Sequence, residues 1–157
     1  MSLEPWLRYT EALSFSYSKG DKLMKKLFVS VPMRGRTDQA IKHSIEEMHK
    51  IAEIAFGEEL EVIDSYFDST DVEVKNWPIY YLSKSIKAMA NADCFIGIDS
   101  WNGDMYLFRG CDVERNIARY YDIPSISLNV RDYAFFNDIF TLGKEEYPTC
   151  CEQEAKK

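Results

Sequence analysis

At 157 residues, 46% of them hydrophobic and 29% charged, the chain has the size of one globular domain and the composition of an ordinary soluble protein. Its formal charge of −7, with Lys and Arg scattered along the sequence, disfavours duplex nucleic acid as a partner, and no apolar run approaches the roughly 18 residues of a membrane span. Residues 1–21 have neither a basic n-region nor a sustained apolar h-region, so the expected location is the cytoplasm.

Residues 1–23 are mixed in pattern and read as an N-terminal extension. Met24 stands just ahead of a strand as a natural start would, which suggests an upstream start codon or added residues. The other reading is a helix over residues 4–14 docking through Trp6, Leu7 and Leu13. The first strong strand is 26–31 (KLFVSV), apolar enough to be covered on both faces, and it stops at Pro32. After the loop 32–36, Thr37 or Asp38 can cap a helix carrying Ile41, Ile45, Met48, Ala52 and Ala55, which Gly57 closes. His43 and His49 fall on the polar side of that helix and are expected to face solvent.

Residues 60–64 supply a second strand and 65–76 a long polar loop. Beyond Pro78, the residues Ile79, Leu82, Ile86 and Met89 mark another amphipathic helix. A third strand covers 93–99, a polar and aromatic loop 100–109, and a helix follows Gly110 with Val113, Ile117, Ala118 and Tyr121 on its apolar side. A fourth strand, 125–130, follows Pro124. Strand and helix alternate, which requires crossover connections. The expected fold is therefore a single α/β domain over 24–130, Rossmann-like or flavodoxin-like, with a parallel sheet and helices on both faces. Ligands of such sheets sit beyond the carboxyl ends of the strands. Residues 131–157 form an edge segment and charged tail, whose patch 133–136 (YAFF) is apolar enough to pack at an edge or a subunit interface.

The loops after the strands bring polar groups to that edge. Met33, Arg34, Gly35, Arg36 and Thr37 combine two guanidinium groups with a flexible glycine and a helix start, which suits an anion; a solvated basic loop is the other reading. Asp93 at the entry of the third strand reads as structural, and Asp99 at its exit is placed to meet a ribose hydroxyl. Trp101 and Tyr106 suit stacking against a base, or an interface or lid. Glu114, in the first turn after Gly110, feels a helix dipole that favours its ionised form; it reads either as a nucleophile or general base, or as an ordinary first-turn acid. Cys94 reads as a core thiol, Cys150 and Cys151 as tail residues, and Cys111 as a helix-opening thiol beside the site, where a thiol pKa can fall. The cysteines and histidines show no metal-binding spacing, and P-loop, dinucleotide-fingerprint and nucleophile-elbow motifs are missing.

Residues 28–37 (FVSVPMRGRT), 85–93 (SIKAMANAD) and 109–114 (RGCDVE) with Ile117 and Ala118 resemble the nucleoside 2-deoxyribosyltransferase-like superfamily, in its small, phage-associated branch. The resemblance spans about residues 26–130. It implies cleavage of the N-glycosidic bond of a deoxynucleoside or its 5′-monophosphate. Glu114, three residues beyond the one after Gly110, would attack the anomeric carbon to give a glycosyl-enzyme intermediate resolved by another base or by water. Ser30, Met33, Arg34, Gly35 and Arg36 would lie against the sugar or its phosphate, and Arg109 would add charge. No cofactor or metal is implied, and a homo-oligomer, by default a dimer, is. Two positions depart from the pattern. Ser85 stands where these enzymes usually carry an Asp that handles the proton of the departing base, and Arg115 stands where the branch commonly has a His. Ser85 supports an alternative, a nucleotide-binding module that does not cleave its ligand. A further reading is an assembly protein that associates through the aromatic segment 133–140.

Overall fold

The computed structural model describes residues 23–65, 73–99 and 105–141; the expectations for the leader, for Trp101, for Cys150 and Cys151 and for the charged tail lie outside them. Four strands, β1 (Lys25–Val29), β2 (Leu60–Val62), β3 (Cys94–Ile98) and β4 (Ser125–Leu128), form one sheet in the order β2-β1-β3-β4. Every pairing is parallel, with Leu27 opposite both Val62 and Cys94, Val29 opposite Ile96, and Ile98 opposite Leu128. The α/β expectation thus holds, and the chain reverses its direction of winding between β1 and β3. At such a switch point the loops after two adjacent central strands turn away from each other and leave a crevice at the carboxyl edge.

The alternation of side chains along the central strands builds two cores. Leu27, Val29, Cys94, Ile96 and Ile98 face one side, against Ile41, Met48 and Ala52 of α1 (Asp38–Phe56). Phe28 and Phe95 face the other and stack with ring centroids 6.0 Å apart, against Met89 of α2 (Trp77–Met89) and Ala118 of α3 (Met105–Tyr120). Between the rings and the crevice lies Gly97, where a Cβ would come within 2.7 Å of the Phe95 ring. Thr37 caps α1 by accepting from the Ala40 amide at 3.1 Å, and Gly57 ends it with φ of 72°, a left-handed conformation that glycine adopts without strain.

Several expectations change with packing. His49 does not simply face solvent: it is half-buried, with Nε2 2.8 Å from the Leu60 carbonyl and 3.1 Å from Glu53. Ile79 and Ile86, expected on the apolar side of an amphipathic helix, are exposed, and of α2 only Met89 is buried. Val113 of α3 and Tyr121 just after it are exposed too, and α3 is buried through Phe108, Cys111, Glu114 and Ala118. The segment after β4 forms two 3-10 helices, η1 (Val130–Asp132) and η2 (Ala134–Thr141), and Phe136 and Ile139 are buried in the α1-side core. The aromatic patch therefore packs on its own domain. Asp93 is structural as expected, accepting from the Lys26 amide at 2.7 Å. No helix among the described residues is long and apolar enough to cross a membrane.

Candidate functional site

Beyond the carboxyl ends of β1 and β3 lies a cavity of about 460 Å³, within the range of small-molecule sites. Its walls come mainly from three places, with Ser65 after β2 adding to them. The residues at and after β1 contribute Phe28, Met33 and Arg34; α2 contributes Ile79, Tyr81, Leu82 and Ser85; α3 contributes Arg109, Gly110, Cys111 and Glu114. Of the apolar residues of α2, Pro78, Ile79 and Leu82 line the cavity, while Trp77 and Ile86 are exposed outside its wall.

Glu114 is the buried carboxylate of this site, 8% exposed. Ser30, at the end of β1 with its side chain on the Phe28 face, donates its hydroxyl hydrogen to Glu114 Oε2. Its amide meanwhile donates to the Ile96 carbonyl at 2.8 Å, so the hydroxyl is carried on backbone tied to β3. The Ser85 hydroxyl of α2 also lines the cavity and favours the charged form of the carboxylate. Burial raises the pKa of Glu114 above its ordinary value, because desolvation penalises the charged form; the two serine hydroxyls pull it part of the way back.

That balance corrects the expectation for Glu114. The backbone leaves helical geometry at Phe108 (φ −123°, ψ 15°), so the helical stretch that carries Glu114 begins just after Phe108 and Glu114 sits more than a turn past the break. It lies beyond the first-turn amides, and burial rather than the helix dipole governs its proton. The same burial corrects Cys111. Its thiol is pushed up to about 12, with the Glu114 charge adding to the effect, so it is an inert neighbour rather than an activated nucleophile.

The two arginines of the first loop part company. Gly35, at φ of 72°, turns the chain so that the Arg36 amide donates to the Met33 carbonyl at 3.2 Å. Met33 and Arg34 stay on the cavity wall, while Gly35 itself is outside it. Arg36 points into the protein on the α1 side. Its guanidinium makes a bidentate pair with Asp138 of η2 at 2.7 and 2.9 Å, and donates to the Pro32 carbonyl at 3.0 Å, the Ser44 hydroxyl at 2.7 Å and the Phe135 carbonyl at 3.2 Å. It is a structural clamp between the first loop, α1 and η2, not a cavity group.

Asp99 also falls outside the wall. It is exposed after β3, with Arg115 3.7 Å away, and Arg115 turns to the Ile98 carbonyl and to Asp112 at 2.6 Å rather than to the cavity. Trp101 lies outside the described residues. Of the candidates, then, Met33, Arg34, Ser85, Arg109, Gly110 and Glu114 share one cavity, with Ser30 behind Glu114. The sequence reading missed Phe28, Tyr81 and Leu82. Leu82 and Ser85 are one helical turn apart, a spacing that would have placed Leu82 beside Ser85 once Ser85 was suspected.

Fold and site define an α/β protein with a parallel sheet, a ligand-sized cavity at its topological switch point and a buried carboxylate in the cavity wall. Compared with known proteins, the chain matches no family model, no curated protein and no solved structure.

Proposed function

We propose that the protein cleaves or exchanges the base of a deoxynucleoside or its 5′-monophosphate, with Glu114 as the nucleophile. The observation that supports this most is the buried Glu114 carboxylate, oriented by Ser30 at the wall of a nucleoside-sized cavity that also carries Arg34 and Arg109. A carboxylate held in one orientation and stripped of most of its water is suited to attack on an anomeric carbon, where positive charge develops in the transition state. Arginine forks suit the phosphate of a monophosphate. Of the residues that carry the resemblance to nucleoside 2-deoxyribosyltransferases, Ser30, Met33, Arg34, Arg109, Gly110 and Glu114 are gathered around this cavity, and Gly35 and Arg36 lie outside it.

The second reading is a module that binds a nucleotide without cleaving it. It is favoured by Ser85, an alcohol on the same cavity wall as Glu114, where a second acid would be needed to protonate a departing base. A homo-oligomer fits either reading, since Trp77, Ile79 and Ile86 of α2 are exposed beside the cavity. Light scattering at working concentration tests that part, and a monomer would count against it.

Chromatographic detection of free base from a panel of deoxynucleosides and their 5′-monophosphates, with and without an acceptor base, separates the two. Release that vanishes in Glu114→Ala supports the enzyme. Binding by calorimetry without release supports the module, and release unaffected by Glu114→Ala would remove Glu114 from the mechanism.

A further inference from the structure

Among the described residues the cavity wall carries one carboxylate, Glu114. The other ionisable groups on the wall are Arg34, Arg109, Tyr81 and Cys111. Arginine does not give up a proton in proteins, and Cys111 keeps its proton up to about 12. Ser65 and Ser85 are alcohols. Among the described residues, the wall therefore offers a nucleophile without a partner carboxylic acid.

This asymmetry selects among N-glycosides by the charge of the base. Displacing an uncharged base leaves an anion on the ring nitrogen, and a positioned general acid is worth roughly 10²- to 10⁴-fold in such a step. A base joined to the sugar through a ring that already carries a positive charge needs no proton, because it departs neutral.

Resting on the reading that Glu114 attacks the anomeric carbon, we infer that the preferred substrate is a nucleoside 5′-monophosphate whose base is a heteroaromatic cation, a pyridinium or an N7-alkylpurinium, and that the preferred reaction is exchange of one neutral heteroaromatic base for another. In the first step a Glu114 carboxylate oxygen bonds to C1′, the C1′–N bond breaks, and its electron pair returns to the ring, which leaves neutral. In the second step the lone pair of an incoming neutral ring nitrogen bonds to C1′, and the ester C1′–O bond breaks with its pair returning to Glu114. No proton moves in either direction. Water, by contrast, must lose a proton as it attacks, and among the described wall residues no second carboxylate is there to take it, so hydrolysis is the slower fate of the ester.

The charges of the wall match such a zwitterion. The cationic ring meets Glu114 and offsets the desolvation of its carboxylate, and the phosphate meets Arg34 and Arg109. Tyr81, which clusters with Trp77 and Tyr80, adds aromatic surface suited to a flat cation.

The test measures kcat/KM for nicotinamide mononucleotide and 7-methylguanosine 5′-monophosphate against GMP, each in ribo and 2′-deoxy form, with incorporation of labelled nicotinamide as the exchange readout. After division by the uncatalysed rates, the cationic substrates should exceed the neutral ones by about 100-fold or more. Label incorporation should outrun net release. Ser85→Asp, checked for an unchanged melting temperature, should narrow the ratio by raising turnover of the neutral substrates. Should the wild-type protein turn over dGMP through Glu114 within about tenfold of its cationic counterpart, the inference fails while the reading of Glu114 as nucleophile stands. Turnover of none of these substrates would sink that reading itself, and the inference with it.

Discussion

Arg36 and Asp138 should respond unequally to substitution, and the asymmetry can be worked out from their burial. The Arg36 side chain is fully buried, whereas that of Asp138 is 35% exposed. Asp138→Ala strands a guanidinium in the interior with neutral acceptors, the Pro32, Ala40 and Phe135 carbonyls and the Ser44 hydroxyl. Breaking a buried pair in this way costs roughly 3–5 kcal/mol, and the partial exposure of Asp138 places it near the lower end, about 3 kcal/mol. Arg36→Met removes the buried charge together with the pair. It leaves Asp138 within reach of water, and the Phe135 carbonyl still accepts from Ser44 at 3.2 Å, so mainly the Pro32 carbonyl loses its donor. The expected cost is about 1–2 kcal/mol. At roughly 2–4 °C per kcal/mol for a chain of this size, Asp138→Ala should melt about 6–12 °C below the wild type and Arg36→Met about 2–8 °C below it. The double variant should match Arg36→Met rather than sum the two losses. Thermal unfolding followed by circular dichroism measures all four proteins. A cost for Arg36→Met equal to or above that of Asp138→Ala would refute the reasoning, and an unchanged melting point with loss of ligand binding would return Arg36 to the site.

Further predictions follow from the site. Because burial raises the Glu114 pKa, the folded protein holds that proton more tightly than the unfolded chain. The stability this contributes is therefore complete below the unfolded carboxylate range, near pH 4, and lost as pH rises through the folded value. Glu114→Gln should leave stability little changed at pH 4 and raise it at pH 8, by about 1.4 kcal/mol for each unit of the rise; a gap that shrinks with pH would contradict the assignment. Cys94 and Cys111, whose thiols are raised to about 11 and about 12 by burial, should resist iodoacetamide at pH 8 in the folded protein and react once it is unfolded, as followed by peptide mapping; fast native labelling of Cys111 would restore it as a reactive thiol. Gly97→Ala forces a methyl against the Phe95 ring and should cost about 1–3 kcal/mol in urea unfolding, and a neutral result would show that the stacked Phe28–Phe95 pair can shift.

The sequence by itself determined the order of strands and helices and their crossover connections. These follow from local physics: continuous apolar runs for strands covered on both faces, periodic apolar residues with a capping Thr37 and a terminating Gly57 for α1, and turn residues between them. It also carried the candidates that the cavity gathers, since Ser30, Arg34 and Glu114 each sit where a strand end or an adjoining helix must reach the carboxyl edge. Tertiary structure alone decided what each group does there. Arg34 and Arg36 are chemically identical and two residues apart, and a left-handed turn at Gly35 sends one to the cavity and the other to Asp138, a partner 102 residues away. The proton affinity of Glu114 was likewise not legible, because it is set by burial in the folded protein and by the opposing effect of the Ser30 and Ser85 hydroxyls, from elements distant in sequence. Local pattern fixes which face of an element is apolar, but burial and pairing arise between residues distant in sequence, and those settle the charge and reach of a side chain.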